Sequence, residues 1–106
     1  MKGYAVGHLR DVAMGPEIAE YLARIDATLA PFGGGFVIHG GRVERLEGDW
    51  QGDLIVIGFP DIAAARAWYA SPAYQAIAPL RSRNSSGEIF LVEGVPEGHA
   101  AVDILG

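Results

Sequence analysis

The chain has 106 residues, half of them hydrophobic, no cysteine and a formal net charge of −5. That length is one ordinary domain, able to bury a real core but only a modest share of its surface. An acidic chain without a Lys/Arg run lacks the clustered cations that phosphate contacts need, which argues against nucleic acid as a partner, and the missing cysteines exclude disulfides and thiol chemistry.

The mean hydropathy of +0.20 is apolar for a small domain and points to a second buried face. Met1-Lys2 is followed by only a short apolar stretch before His8, Arg10 and Asp11, too short for a signal segment. The longest strongly apolar run, Leu54 to Phe59, is far short of a membrane span. A cytoplasmic protein without membrane contact is expected, and the lack of cysteine fits a reducing compartment.

In chain order, Tyr4 to Leu9 reads as a first strand and Asp11 to Gly15 as a loop. Pro16 opens a helix, where its missing N–H costs nothing. Ile18, Leu22, Ile25, Leu29 and Phe32 follow in steps of four and three, one helical face. Gly33-Gly34-Gly35 ends that helix. Phe36 to Glu47 is expected as a second strand with a bulge or bend at Gly40-Gly41, Gly48 to Gly52 as a turn, and Leu54 to Phe59 as a third strand completing a hairpin. Pro60 stops it and Asp61 caps a helix carrying Ile62, Ala65, Trp68 and Tyr69. Proline restricts the residue before it, so this helix ends at Ser71, which caps a further short helix with Pro72 at its first position. Glu88 to Gly94 is the last strong strand, and Val102 to Leu105 a weak edge strand. The domain is expected over residues 1–95, with 96–106 a loosely attached extension.

Strand, helix, strand, strand, helix, strand is the α+β ferredoxin-like βαββαβ pattern, a four-stranded antiparallel sheet with its helices on one face. Such a sheet alternates apolar and polar residues when its second face is wet. The runs LIVIGF (Leu54–Phe59) and IFLV (Ile89–Val92) do not alternate. A second copy of the same sheet is the simplest cover, so a homodimer through the sheet face is expected.

The stretches EGDW (Glu47–Trp50), IGFPD (Ile57–Asp61), AWYASPAYQ (Ala67–Gln75), LR (Leu80-Arg81) and VEG (Val92–Gly94) together resemble the bacterial domain-of-unknown-function family thirteen-thirty, in the dimeric α/β-barrel superfamily. The resemblance runs over roughly residues 2–95. It implies a ferredoxin-like protomer whose sheet packs on a partner's, pairing as a dimeric α/β barrel. Superfamily relatives include cofactor-free quinone-forming monooxygenases, muconolactone isomerase-like enzymes and haem-binding proteins. The family itself has no established activity, so no catalytic residue carries over. Gly58 stands where the family commonly has an acidic residue, and Asp61 where it commonly has serine.

Candidate chemistry gathers around the aromatic segment. His39, on an otherwise apolar strand, is the candidate proton-transfer residue, against a bland reading as a hydrogen-bonded interface histidine. His8 shares that ambiguity, His99 lies in the tail, and the spacing of the three gives no metal signature. Arg81 follows Tyr74 and Ile77 and can hold a substrate carboxylate, or pair with Glu88 or Glu93, or cap a helix. Trp68, Tyr69 and Tyr74 are candidate pocket walls as well as core, and Trp50 in the turn either packs back on its own chain or closes over a pocket or a partner. The glycine run Gly33–Gly35 follows a helix and so is no phosphate loop, and no nucleophile elbow is present. The expected function is a homodimeric small-molecule-binding protein without cofactor, a candidate cofactor-free enzyme on an apolar oxygenated compound; the alternative is a non-catalytic dimeric binding or structural module.

Overall fold

The structure, a computed structural model, describes residues 1–106. Four strands form one antiparallel sheet: β1 (Gly3–Arg10), β2 (Gly35–His39), β3 (Asp53–Phe59) and β4 (Ser86–Glu93), in the spatial order β2-β3-β1-β4. Between β1 and β2 runs helix α1 (Pro16–Leu29), and between β3 and β4 run α2 (Ile62–Ala70) and α3 (Pro72–Ser82). This is the ferredoxin-like fold, with the helices on one face of the sheet.

Local chemistry sets each boundary. Pro16 stands at the start of α1, and a short 3-10 turn over Ala30–Phe32 closes on Gly33, whose φ of 70° lies in the left-handed region that glycine enters freely. The Asp61 carboxylate accepts the Ala64 N–H at 2.8 Å and caps α2. Ser71 ends α2 and begins α3. Its ψ of 144° is extended, as the following proline requires, while its hydroxyl donates to the Trp68 carbonyl at 2.7 Å and accepts the Tyr74 N–H at 3.3 Å. One side chain thus serves both helices at the corner. On the sheet side, a Cβ on Gly3 would lie 2.5 Å from the Ile62 backbone, so only glycine allows α2 to lie this close to β1.

The core lies between helices and sheet. Its largest fully buried side chains are Trp68, Tyr74, Phe59, Leu29 and Ile77. The Trp68 ring packs 4.1 Å from Tyr74 and 5.5 Å from Phe59, centroid to centroid. Its indole N–H donates to Thr28 Oγ1 at 3.0 Å, and Thr28 in turn donates to the Ile25 carbonyl at 2.6 Å. The largest buried ring of the core therefore leaves no polar atom unpaired.

Register separates the two faces of the sheet. Ala5 and Gly7 of β1 stand opposite Ile57 and Ile55 of β3 and Leu91 and Ile89 of β4, on the helix face. Tyr4, Val6 and His8 share the other face with Leu54, Val56, Phe90 and Val92. No other element of the chain covers that second face, and Phe90 is 49% exposed.

The structure corrects the sequence reading at four places. β2 ends at His39 instead of Glu47, and Gly40–Gly52 has no regular structure. The cause is the length of its partner: β3 begins at Asp53, so beyond the Gly40 N–H bond to the Leu54 carbonyl no strand remains to pair with. The bulge lies at Val37, not at Gly40-Gly41, because Phe36 pairs with Ile57 and Ile38 with Val56, leaving Val37 as the extra residue. Residues 102–105 are not an edge strand; Ala101–Leu105 is an exposed 3-10 turn, its start closed by the Asp103 carboxylate accepting the Ala100 N–H at 2.9 Å. On α1, Tyr21 rather than Leu22 turns into the core.

Candidate functional site

Small residues in the centre of a sheet leave room above them. Ala5 and Gly7 lie on the middle of β1, facing the helices, and both are buried. Above them a cavity of about 290 Å³ runs between α1, the C-terminal part of α3 and the sheet. Its walls are mostly hydrophobic: Ile18 and Ile25 from α1, Ile55 and Ile57 from β3, Ile89 from β4. Met14 (74% exposed) and Leu22 (42%) also line it, so it opens to solvent beside the start of α1.

Three polar side chains meet at the helix-side wall. The Tyr21 and Tyr74 hydroxyls lie 2.8 Å apart, both buried. Tyr74 and Arg81 are seven residues apart on α3, two turns, and so project from one face. Arg81 is partly buried, and its Nε is buried without a hydrogen-bond partner. It has no acidic partner, whereas nearby Arg83 pairs with Glu17 at 2.6 Å. Burial, with the Tyr74 oxygen adding to it, pushes the Tyr21 phenol far above its ordinary range. Burial disfavours charge on Arg81, yet the Tyr74 and Tyr21 oxygens outweigh it and raise its pKa, so it stays a cation.

His39 enters the same cavity from the sheet. Strict alternation after Phe36 would send it to the opposite face. The extra residue at Val37 reverses the sense, so that His39 stands opposite Ile55 and its ring stacks on Phe36 at 4.3 Å and 18°. The residue is otherwise exposed, at the end of an edge strand.

Of the residues singled out from sequence, Trp68, Tyr74, Arg81 and His39 all line this one cavity. Tyr69 does not. It is 38% exposed and lies behind Tyr74, ring centroids 5.6 Å apart, while its carbonyl accepts from Gln75 Nε2 at 2.7 Å. Arg81 pairs with neither Glu88 nor Glu93. Both residues missed by sequence reasoning left a signal. Tyr21 fits the face of Ile18 and Ile25 at spacings of three and four, and Gly7 interrupts a strand at a place where no turn needs it.

His8 and Trp50 form a separate cluster on the other face of the sheet. Their rings stack at 4.3 Å. Arg10 donates to both Glu88 carboxylate oxygens at 2.9 and 2.8 Å, and to His8 Nδ1 at 3.1 Å, while His8 Nε2 donates to the Gln51 carbonyl at 2.6 Å. The Arg10 bond holds the Glu88 carboxyl below its usual value. No group of His, Asp or Glu residues has the arrangement of a metal site, and no helix is long and apolar enough to cross a membrane.

Residues 2–95 match the family model described as Domain of unknown function (DUF1330). No curated protein matches the chain. Among solved structures, a protein of unknown function from Rhodopseudomonas palustris is 18% identical, with a TM-score of 0.65 over 90% of this chain and 83% of that one. A dimeric ferredoxin-like protein of unknown function from Jannaschia sp. CCS1 is 19% identical, with a TM-score of 0.65 over 91% of this chain and 100% of that one. SnoaB, a cofactor-independent oxygenase from Streptomyces nogalater, is 24% identical, with a TM-score of 0.58 over 92% and 96%. At these identities the likeness is one of fold.

Proposed function

The chain belongs to the DUF1330 family, and from that premise we propose that it is a homodimeric small-molecule-binding protein whose ligand occupies the cavity between the helices and the sheet. The cavity itself carries the reading. It is apolar over most of its wall, with a few polar groups converging at one side, the usual composition of a small-molecule site. Its volume lies at the small end of such sites, about 300–1,000 Å³, which favours a compact ligand. The uncovered apolar face of the sheet supports the dimer, since an apolar patch of that kind marks an interaction surface, and the solved relative from Jannaschia sp. CCS1 is a dimeric protein of the same fold.

The enzyme reading goes one step further. A fold shared with a cofactor-independent oxygenase can host such chemistry without implying it, and His39 is the imidazole on the cavity wall and so the candidate proton-transfer group. A non-catalytic binding module is favoured by one specific observation. The buried polar side of the cavity holds hydrogen-bond donors and no base, because Tyr21 keeps its proton. Thermal-shift screening of small apolar oxygenated compounds, repeated on Arg81→Ala and His39→Ala, tests both readings. A stabilising ligand whose effect falls with Arg81→Ala is the expected result. Turnover of that ligand lost in His39→Ala selects the enzyme, and binding without turnover the module. A ligand indifferent to both substitutions defeats the site.

A further inference from the structure

We propose that the wall formed by Tyr21, Tyr74 and Arg81 is a receptor for a single oxyanion, a carboxylate or phenolate, borne by an otherwise apolar ligand, and that Gly7 keeps the room in which its apolar body lies. This rests on the cavity reading above and names the chemistry of its occupant. The first ground is a cation whose polar neighbours are two phenols and no carboxylate. Arg81 lines the cavity, its Nε is sealed from water without a partner, and no carboxylate lies within ion-pairing distance. A buried charge ordinarily has a counter-charge and a buried donor an acceptor. The neighbouring Arg83 has both in Glu17, so at this end of α3 the deficit is Arg81's.

The second ground is the tyrosine pair. Two hydroxyls joined by one hydrogen bond spend one O–H proton on each other and leave the second free. Phenol and guanidinium both come from the helix side of the cavity, and the Trp68 indole N–H is already engaged by Thr28. The Ser85 hydroxyl is likewise used, donating to the Arg81 carbonyl at 2.9 Å. What remains to meet a ligand there is a cation and one phenolic donor. That set matches an oxyanion and offers little to a ligand's own donors. Burial keeps the Tyr21 phenol protonated, so it does not compete for Arg81 as an anion of its own.

The third ground is the floor. Gly7 has no left-handed φ to explain it, and a Cβ there would meet the Ile89 Cδ1 at 3.1 Å, the flexible end of a side chain. A larger residue would press on Ile89 and fill the sheet side of the cavity, and its absence leaves that volume open.

The test is titration calorimetry of the full chain with benzoate, phenylacetate and hexanoate against benzamide, phenylacetamide and hexanol, with 4-nitrophenolate as the second oxyanion source. The expected result is that the anions bind about tenfold or more tightly than their neutral counterparts. Carboxylate and phenolate arms then separate the two sources. Arg81→Gln removes that preference while the neutral compounds bind as before, Tyr21→Phe reduces it, and Gly7→Val weakens every probe alike. Equal binding of anions and amides by the unaltered protein overturns the oxyanion receptor and leaves the cavity reading standing. Failure of all probes to bind, up to their solubility, overturns both. The acid–amide comparison is made on the unaltered chain, so it holds whether or not each variant folds.

Discussion

On the helix face of the sheet the chain spends its smallest residues, Ala5 and Gly7, against its largest rings. On the other face it spends Tyr4, Val6, Leu54, Val56 and Phe90 against nothing of its own. The first face is closed except for one cavity, and the second is open except for the Arg10–Glu88–His8–Trp50 cluster beyond its apolar part. Both faces are apolar, which is why neither LIVIGF nor IFLV alternates, but they are apolar for different ends. The closed face stabilises the protomer and shapes a pocket. The open face, on the dimer reading, is half of a core completed by a second copy.

The largest expected effect belongs to the closed face. Trp68→Ala removes a ring packed against Phe59 and Tyr74 and leaves Thr28 without its donor. Truncation of a buried aromatic costs about 3–5 kcal/mol, a large share of the stability of a domain this size. Urea unfolding at fixed protein concentration is expected to show a midpoint lowered accordingly. A midpoint equal to that of the unaltered chain would mean that Trp68 is not part of the closed core.

Next comes the open face. Phe90→Glu places a charge amid Val6, Val56 and Val92, where a partner sheet would have to bury it. Light scattering at micromolar concentration is expected to fall from twice the chain mass to the chain mass. The helical circular dichroism should be retained, because Phe90 touches the core from neither helix nor cavity side. A dimer that survives Phe90→Glu places the contact elsewhere. The asymmetry is the point of the pair: the first substitution unfolds the protomer, and the second only uncouples it.

The same comparison explains what was legible in the sequence. Element order, the Ser71-Pro72 corner and the two-faced character of the strands depend on residue type and spacing within a few positions, and all three read directly. The end of β2 at His39 depends on where β3 begins, at Asp53, and the charged stretch Arg42–Glu47 carries no local mark of lacking a partner. His39 was legible as a candidate but not as to its side, because one extra residue at Val37 decides which face it joins and a bulge of that kind has no glycine to announce it. Tyr69 was placed with its neighbours because adjacency in sequence resembles adjacency in space, whereas successive residues on a helix diverge by about 100°. Tyr21 was passed over since Leu22 is the more hydrophobic of two adjacent residues that both fit the period.

The smallest effect concerns two ion pairs, one for each face. Glu17 is held below its usual value of 4.5 by hydrogen bonds from Arg83 and Asn84, tying the start of α1 to the end of α3 on the helix side. Glu88 is held below the same value by Arg10, tying β4 to β1 on the open face. Both folded-state values are depressed, so each pair contributes in full above the unfolded value and loses its contribution as pH falls through the lower folded one. Glu17→Gln and Glu88→Gln are each expected to lower stability modestly at neutrality, with the difference from the unaltered chain disappearing as pH falls through the depressed folded value. Both pairs are exposed, so added salt should shrink the effect. The two faces then part company. A second sheet seated on the open face would shield the Arg10–Glu88 pair from solvent and leave the Glu17–Arg83 pair as it is. The Glu88→Gln effect should therefore grow with protein concentration through the monomer–dimer range, and the Glu17→Gln effect should not. Equal behaviour of the two variants across that range would place Glu88 outside the interface and confine contact to the apolar half of the face.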